Sequence, residues 1–140
     1  MKKIFFLALA LAVCAFTFVS CEKEKDKDNT SDSNYAQAIV GTWQYARYWD
    51  GEEKVWYDVN EEEFDTRLFI FDSKGNFTRE YTDGESDIYQ YCIKKDIIYI
   101  GDEEDDREDW DASYRIGSIS SDKLLLLGID GDYKMEFEKQ

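Results

Sequence analysis

Apolar and polar positions divide the chain into three stretches. Ile4 to Val19 is almost wholly apolar behind a basic Met1-Lys2-Lys3 start. Glu22 to Asn34, EKEKDKDNTSDSN, contains no apolar residue. From Tyr35 onward, aromatic and β-branched residues recur in short runs broken by Gly, Asp, Asn and Ser. Alternation of this kind marks half-buried strands, and no segment holds the 3.6-residue spacing of a long helix. The runs predict about eight strands: Gly41–Trp49, Thr66–Asp72, Asn76–Thr82, Ile88–Lys94, Ile97–Gly101, Ala112–Ile119, Lys123–Gly128 and Tyr133–Glu138. Short turn-forming links join several of them: Asp72-Ser73-Lys74-Gly75-Asn76, Lys94-Lys95-Asp96, Ser120-Ser121-Asp122 and Asp130-Gly131-Asp132. Links this short make neighbours antiparallel and predict a meander, in an all-β barrel or sandwich.

Alternation also assigns faces. Trp43, Tyr45, Arg47 and Trp49 fall on one side of the first strand. Phe77, Arg79 and Tyr81 share a side, as do Tyr133, Met135 and Phe137. Leu124-Leu125-Leu126-Leu127 does not alternate and is expected to be covered on both faces. Between the first two runs, Val55-Trp56-Tyr57 is an extra strand or flap, and Asn60-Glu61-Glu62-Glu63-Phe64 has the form of a capped helical turn. This long link is a candidate lid over one barrel end.

The first two stretches change the picture of where the chain works. A basic end, an apolar run too short to span a bilayer comfortably and a small residue before an abrupt turn to charge describe an export signal. Cys21 directly follows that small residue, Ser20, and the stretch resembles a bacterial lipoprotein signal. The resemblance implies removal of residues 1–20 and a diacylglyceryl group on Cys21, which becomes the new N-terminus. Phe18 stands where such signals usually carry Leu, three residues before the cysteine. Cys14, after the larger Val13 and still inside the apolar run, is the poorer acceptor. Each buried methylene contributes about 0.8 kcal/mol, so two acyl chains anchor stably where one does not. Residues 21–34 then form a tether that has nothing to bury and is expected to be disordered, and 35–140 form the domain. The charged run after the cysteine resembles the surface-export signal of Bacteroidota lipoproteins, which implies the outer membrane and favours its cell-surface side.

Composition narrows the chemistry. The formal net charge of −15 becomes −17 once Lys2 and Lys3 leave with the signal, which opposes binding to nucleic acid or anionic lipid surfaces. Histidine is absent, which removes the usual general base, the commonest transition-metal ligand, and Ser-His-Asp or Cys-His catalysis in their usual forms. With so many acids, carboxylate pairs carry no specific signal for glycoside hydrolysis. Asp102-Glu103-Glu104-Asp105-Asp106 lacks the spacing of a calcium loop and is expected to be a solvated hairpin loop. With Cys14 removed and Cys21 lipidated, Cys92 is the only thiol expected, buried in an alternating strand and inert. No enzyme activity, cofactor or metal is expected.

A family resemblance enters at Ile39-Val40-Gly41-Thr42-Trp43-Gln44, because the first strand of lipocalins opens with Gly-x-Trp. The order of later elements, Leu68 to Phe77 around the Gly75 turn and Ile116 to Leu127 around Ser120-Ser121-Asp122, is similar to that of small lipocalin-like lipoproteins of Bacteroidota. The likeness covers about residues 38–139. It implies an antiparallel up-and-down barrel of eight strands with an apolar cavity. It also implies that Trp43 crosses the closed end under a basic residue from a late strand, here Lys134 or Lys139. Trp43, Tyr45, Phe69, Phe71, Phe77, Tyr89, Tyr91 and Met135 are then the candidates to line a cavity for a small apolar or amphipathic ligand. The alternative is a packed barrel serving a larger protein or glycan-handling assembly, with Trp49, Trp56 and Trp110 as an outer aromatic patch.

Overall fold

The structure, a computed structural model, describes residues 30–140, with side chains from Asn34 onward. The export signal, Cys21 and the first part of the tether lie outside the described residues. One helix, α1 (Thr30–Ala38), precedes nine strands. These are β1 (Gly41–Asp50), β2 (Val55–Asp58), β3 (Thr66–Phe71), β4 (Asn76–Tyr81) and β5 (Ser86–Lys94). They continue with β6 (Ile97–Gly101), β7 (Asp111–Ile119), β8 (Lys123–Leu127) and β9 (Lys134–Lys139). The eight expected strands are present, with ends shifted by one or two residues, and Val55-Trp56-Tyr57 is a ninth. The helix starts ahead of the boundary expected at Tyr35, so the end of the stretch read as tether is helical. Its anchor is apolar: Ala36 and Ile39, at and just beyond its C-terminus, are buried, and Ile39 N–H donates to the Tyr35 carbonyl at 3.0 Å.

All pairings are antiparallel between neighbours from β3 to β9, and β9 pairs back onto β1, closing an eight-stranded barrel. β1 serves two partners along one edge. Gly41 to Gln44 pairs with β3, and Arg47 to Asp50 pairs with β2, so β2 adds to the barrel at one end. At the other end the described side chains pack closely. Trp43, fully buried, donates its indole N–H to the Ile39 carbonyl at 2.7 Å. Lys139 Nζ lies 5.1 Å from the centre of a Trp43 ring and donates to the Val40 carbonyl, so Lys139 is the basic residue of the late strand. Phe71, Phe77, Tyr91, Ile93, Ile98 and Leu124 continue this packed core.

Three local expectations are corrected. A bulge between Tyr45 and Arg47 on the β1–β9 ladder reverses the second half of β1. Tyr45 pairs with inward Phe137 and Tyr48 with Met135, while Arg47 and Trp49 pair with outward Glu136 and Lys134. Arg47 therefore forms an outer ion pair with Glu136 at 2.8 Å instead of sharing the face of Trp43. Second, β8 does alternate: Leu124 and Leu126 are fully buried, whereas Leu125 and Leu127 are only partly covered. Third, Cys92 is buried as alternation expects, but it is disulfide-bonded instead of a free thiol.

Candidate functional site

The bulge and the added strand leave room at the second barrel end, where a cavity of about 340 Å³ opens. Its floor is Phe69 and Phe137, both buried, their rings stacked 4.7 Å apart. Tyr45, Tyr114 and Met135 form the walls. Phe64, from the β2–β3 link, covers it, meeting Tyr45 edge-on at 5.8 Å and Tyr48 at 4.9 Å. That link is a turn and not a helix: Asn60 accepts from Glu62 N–H through its side chain and from Glu63 and Phe64 N–H through its carbonyl. The turn brings Phe64 over the barrel mouth. Exposed Glu63 and Asp65 line the rim, so the cavity reaches solvent.

Two polar residues interrupt this apolar wall. Arg79 lies on the inward face of β4, between Phe77 and Tyr81, and pairs across to Phe69. Its Nε and Nη2 donate to Thr66 Oγ1 at 2.8 and 2.6 Å. Its guanidinium carbon lies 5.2 Å from the Tyr81 ring centre. Among the described residues no carboxylate ion-pairs with Arg79. Asp87, its cross-strand neighbour on β5, instead accepts from the Tyr81 hydroxyl at 2.6 Å. Burial, then the neighbouring Tyr48, Tyr114 and Tyr133, pushes the Tyr45 hydroxyl up to about 12. Burial and Tyr133 raise Tyr114, against an opposing pull from Arg79. Both hydroxyls are therefore neutral donors at ordinary pH.

Of the candidate lining residues, Tyr45, Phe69 and Met135 stand on the cavity wall. Trp43, Phe71, Phe77 and Tyr91 lie in the solid core beneath, and Tyr89 packs beside Phe77 at 6.3 Å. They interdigitate there because α1, Ile39 and Trp43 close that end. Tyr91 is further fixed by donating its hydroxyl to the Asp72 carbonyl at 2.7 Å. Sequence reading did not single out Phe64, Thr66, Arg79 or Tyr114 for the cavity. For Arg79 a signal existed, since alternation already places it between two aromatic residues of one face. The outer aromatics also divide. Trp49 and Trp56 are neighbours on the outer face, 5.7 Å apart, with Lys134 and Arg47 over their rings. Trp110 is buried against Gly101 and Arg107, not part of an outer patch. The acidic run Asp102 to Asp106 is an exposed turn between β6 and β7.

No family sequence profile matches the chain, and no curated protein matches it. Among solved structures, a lipocalin-like protein from Bacteroides uniformis aligns with a TM-score of 0.51 at 21% identity. That alignment covers 74% of this chain and 99% of the other. A protein from Bacteroides eggerthii aligns with a TM-score of 0.50 at 18% identity, over 73% of this chain and 99% of the other. The strand order, the β9–β1 closure and these alignments together identify the fold as lipocalin-like, an eight-stranded antiparallel barrel with one strand added.

Proposed function

We propose that this chain is a non-catalytic binding module that takes a small apolar or amphipathic ligand at its open barrel end. The observation that supports this reading is the cavity itself. Aromatic side chains pack much of the barrel interior, yet about 340 Å³ stays unfilled beneath Phe64. That volume is at the lower end of ligand pockets, which span roughly 300–1,000 Å³, so the ligand is small. The wall hydroxyls hold their protons, the chain has no histidine, and the lining carboxylates Glu63 and Asp65 stand at the exposed rim, which fits binding better than catalysis. The test is saturable binding of the neutral dye N-phenyl-1-naphthylamine and its displacement by short-chain alcohols and acids. Dye displacement is preferable to tryptophan emission, because none of the four tryptophans lines the cavity. Absence of saturable dye binding overturns the proposal.

In the same proposal a lipid on Cys21 holds the module at the outer membrane, on the cell-surface side. The basis is the signal-like start and the charged run behind Cys21. Proteolysis of the protein on intact cells tests the side: protection places it on the inner face. A second reading, an accessory role in a protein or glycan-handling assembly, draws support from the Trp49–Trp56 pair on the outer face. Glycan-array binding abolished by Trp56→Ala would favour it.

A further inference from the structure

We infer that the ligand of this cavity is a small amphipathic monoanion, a carboxylate with an apolar tail, and that Arg79 is the residue that anchors its head. This rests on the binding reading above and narrows it to a ligand class. An arginine has five N–H donors in a planar fork. Here two of them converge on one acceptor, Thr66 Oγ1, and the rest have no protein acceptor among the described residues. A charge set half-buried in an aromatic wall is ordinarily matched by a carboxylate. The nearest acid by strand register, Asp87, is exposed and held by the Tyr81 hydroxyl. The guanidinium is thus fixed in place on a hydroxyl and a ring, with no carboxylate partner among the described residues.

The surroundings define the rest of the ligand. Thr66 is buried, and its hydroxyl, accepting twice from Arg79, keeps its own proton to donate. Tyr114, also on the wall, is close enough for Arg79 to influence its ionisation and adds a neutral donor. Phe64, Phe69, Met135 and Phe137 provide the apolar surface for a tail. Charge sets the valence. One guanidinium faces the cavity while Glu63 and Asp65 stand at its rim on a chain of net charge −15, so a monoanion is accommodated and a dianion such as a phosphate monoester is repelled.

The test compares head groups on one tail. Octanoate, octanol, octylammonium and octyl phosphate are titrated by calorimetry into the full chain carrying Cys21→Ser, which removes the competing lipid. Octanoate is expected to bind about tenfold more tightly than octanol, the amount a charge-assisted hydrogen-bond pair provides. Arg79→Gln should abolish the preference for octanoate over octanol, with Arg79→Lys between. Equal binding of octanoate and octanol overturns the anchor and leaves the binding reading standing. Tightest binding of octylammonium, or of octyl phosphate, overturns the monoanion assignment. No binding of any of the four overturns both readings. The head-group ranking on the Arg79-containing chain decides the matter even if the Arg79 variants fail to fold.

Discussion

At the scale of single residues, the closed end depends on a glycine. Gly41 has φ +147°, and a Cβ there would sit 2.7 Å from Lys139 Cε. The lysine can swing aside, but the backbone cannot relax without disturbing the start of β1, which pairs with β3 and β9 at once. Gly41→Ala should therefore cost on the order of 1–3 kcal/mol, read as a lower urea midpoint with an unchanged slope. An unaltered midpoint would show that the positive φ of Gly41 does not constrain this position. The tyrosines make a second residue-scale prediction. Burial raises Tyr45 and Tyr91 above the ordinary phenol value, Tyr45 to about 12. The unfolded chain gives up these protons first, near pH 10, so the folded state binds more protons above that point. Stability from this source is full below about pH 10 and is lost as pH rises toward and through 12. Denaturant midpoints between pH 8 and 11.5, followed with tyrosinate absorbance, should show the midpoint falling only above about pH 10. A midpoint flat to pH 11.5 contradicts it.

At the scale of elements, the bulge at the centre of β1 decides what the open end contains. It turns Tyr48 inward toward Phe64 and sends Arg47 out to Glu136. Removing Ala46, the extra residue of the bulge, would leave Tyr45 against Phe137 and Arg47 against Glu136 in an unbroken ladder, with every later side chain on its present face. The Ala46 deletion should therefore keep its β spectrum by circular dichroism and lose only about 1 kcal/mol, for the Val59 N–H bond to the Ala46 carbonyl. Loss of the β spectrum in the deletion variant would show that the bulge itself is needed for β1 to pass from β3 to β2. The β2–β3 link gives a second test. Phe64 is only partly buried, so Phe64→Ala should cost about 1–2 kcal/mol, below the 3–5 of a fully buried phenylalanine. It should also speed dye entry, since the side chain covers the mouth. Unchanged dye kinetics would show that entry lies elsewhere.

The whole molecule combines a barrel closed by α1 and Trp43 at one end with a small aromatic cup at the other. The two ends differ because β1 is shared. Its first half completes the barrel with β3, and its second half leaves β3 for β2, so the wall diverges there and the core cannot fill. The remaining prediction at this scale concerns the membrane. Cys21→Ser should move the protein from the membrane to the soluble fraction, because the net charge and the acid-rich surface oppose any other attachment. Mass spectrometry of the N-terminal peptide should find a diacylglyceryl group on Cys21. Cys21 found unmodified, or in a disulfide, would overturn lipidation at that position.

Strand number and turn positions were legible in the sequence because each depends on local chemistry, whereas the role of Trp43 came from the family resemblance. Alternation of apolar residues defines a strand, Asp and Gly define the turn from Asp72 to Asn76, and Gly-x-Trp marks the opening of β1. The tertiary structure alone decided the bulge at Ala46, the helical end of the supposed tether and the division of the aromatics between solid core and cavity. One extra residue in a strand reverses every side chain after it, and nothing within the strand announces it, because the bulge is set by the partner strand. The inward face of Arg79 was readable from its neighbours Phe77 and Tyr81, but the lack of a carboxylate partner among the described residues was not. An unpaired charge is a property of everything that surrounds it, and Thr66, Tyr114 and Phe64 reach Arg79's side of the barrel from distant parts of the chain.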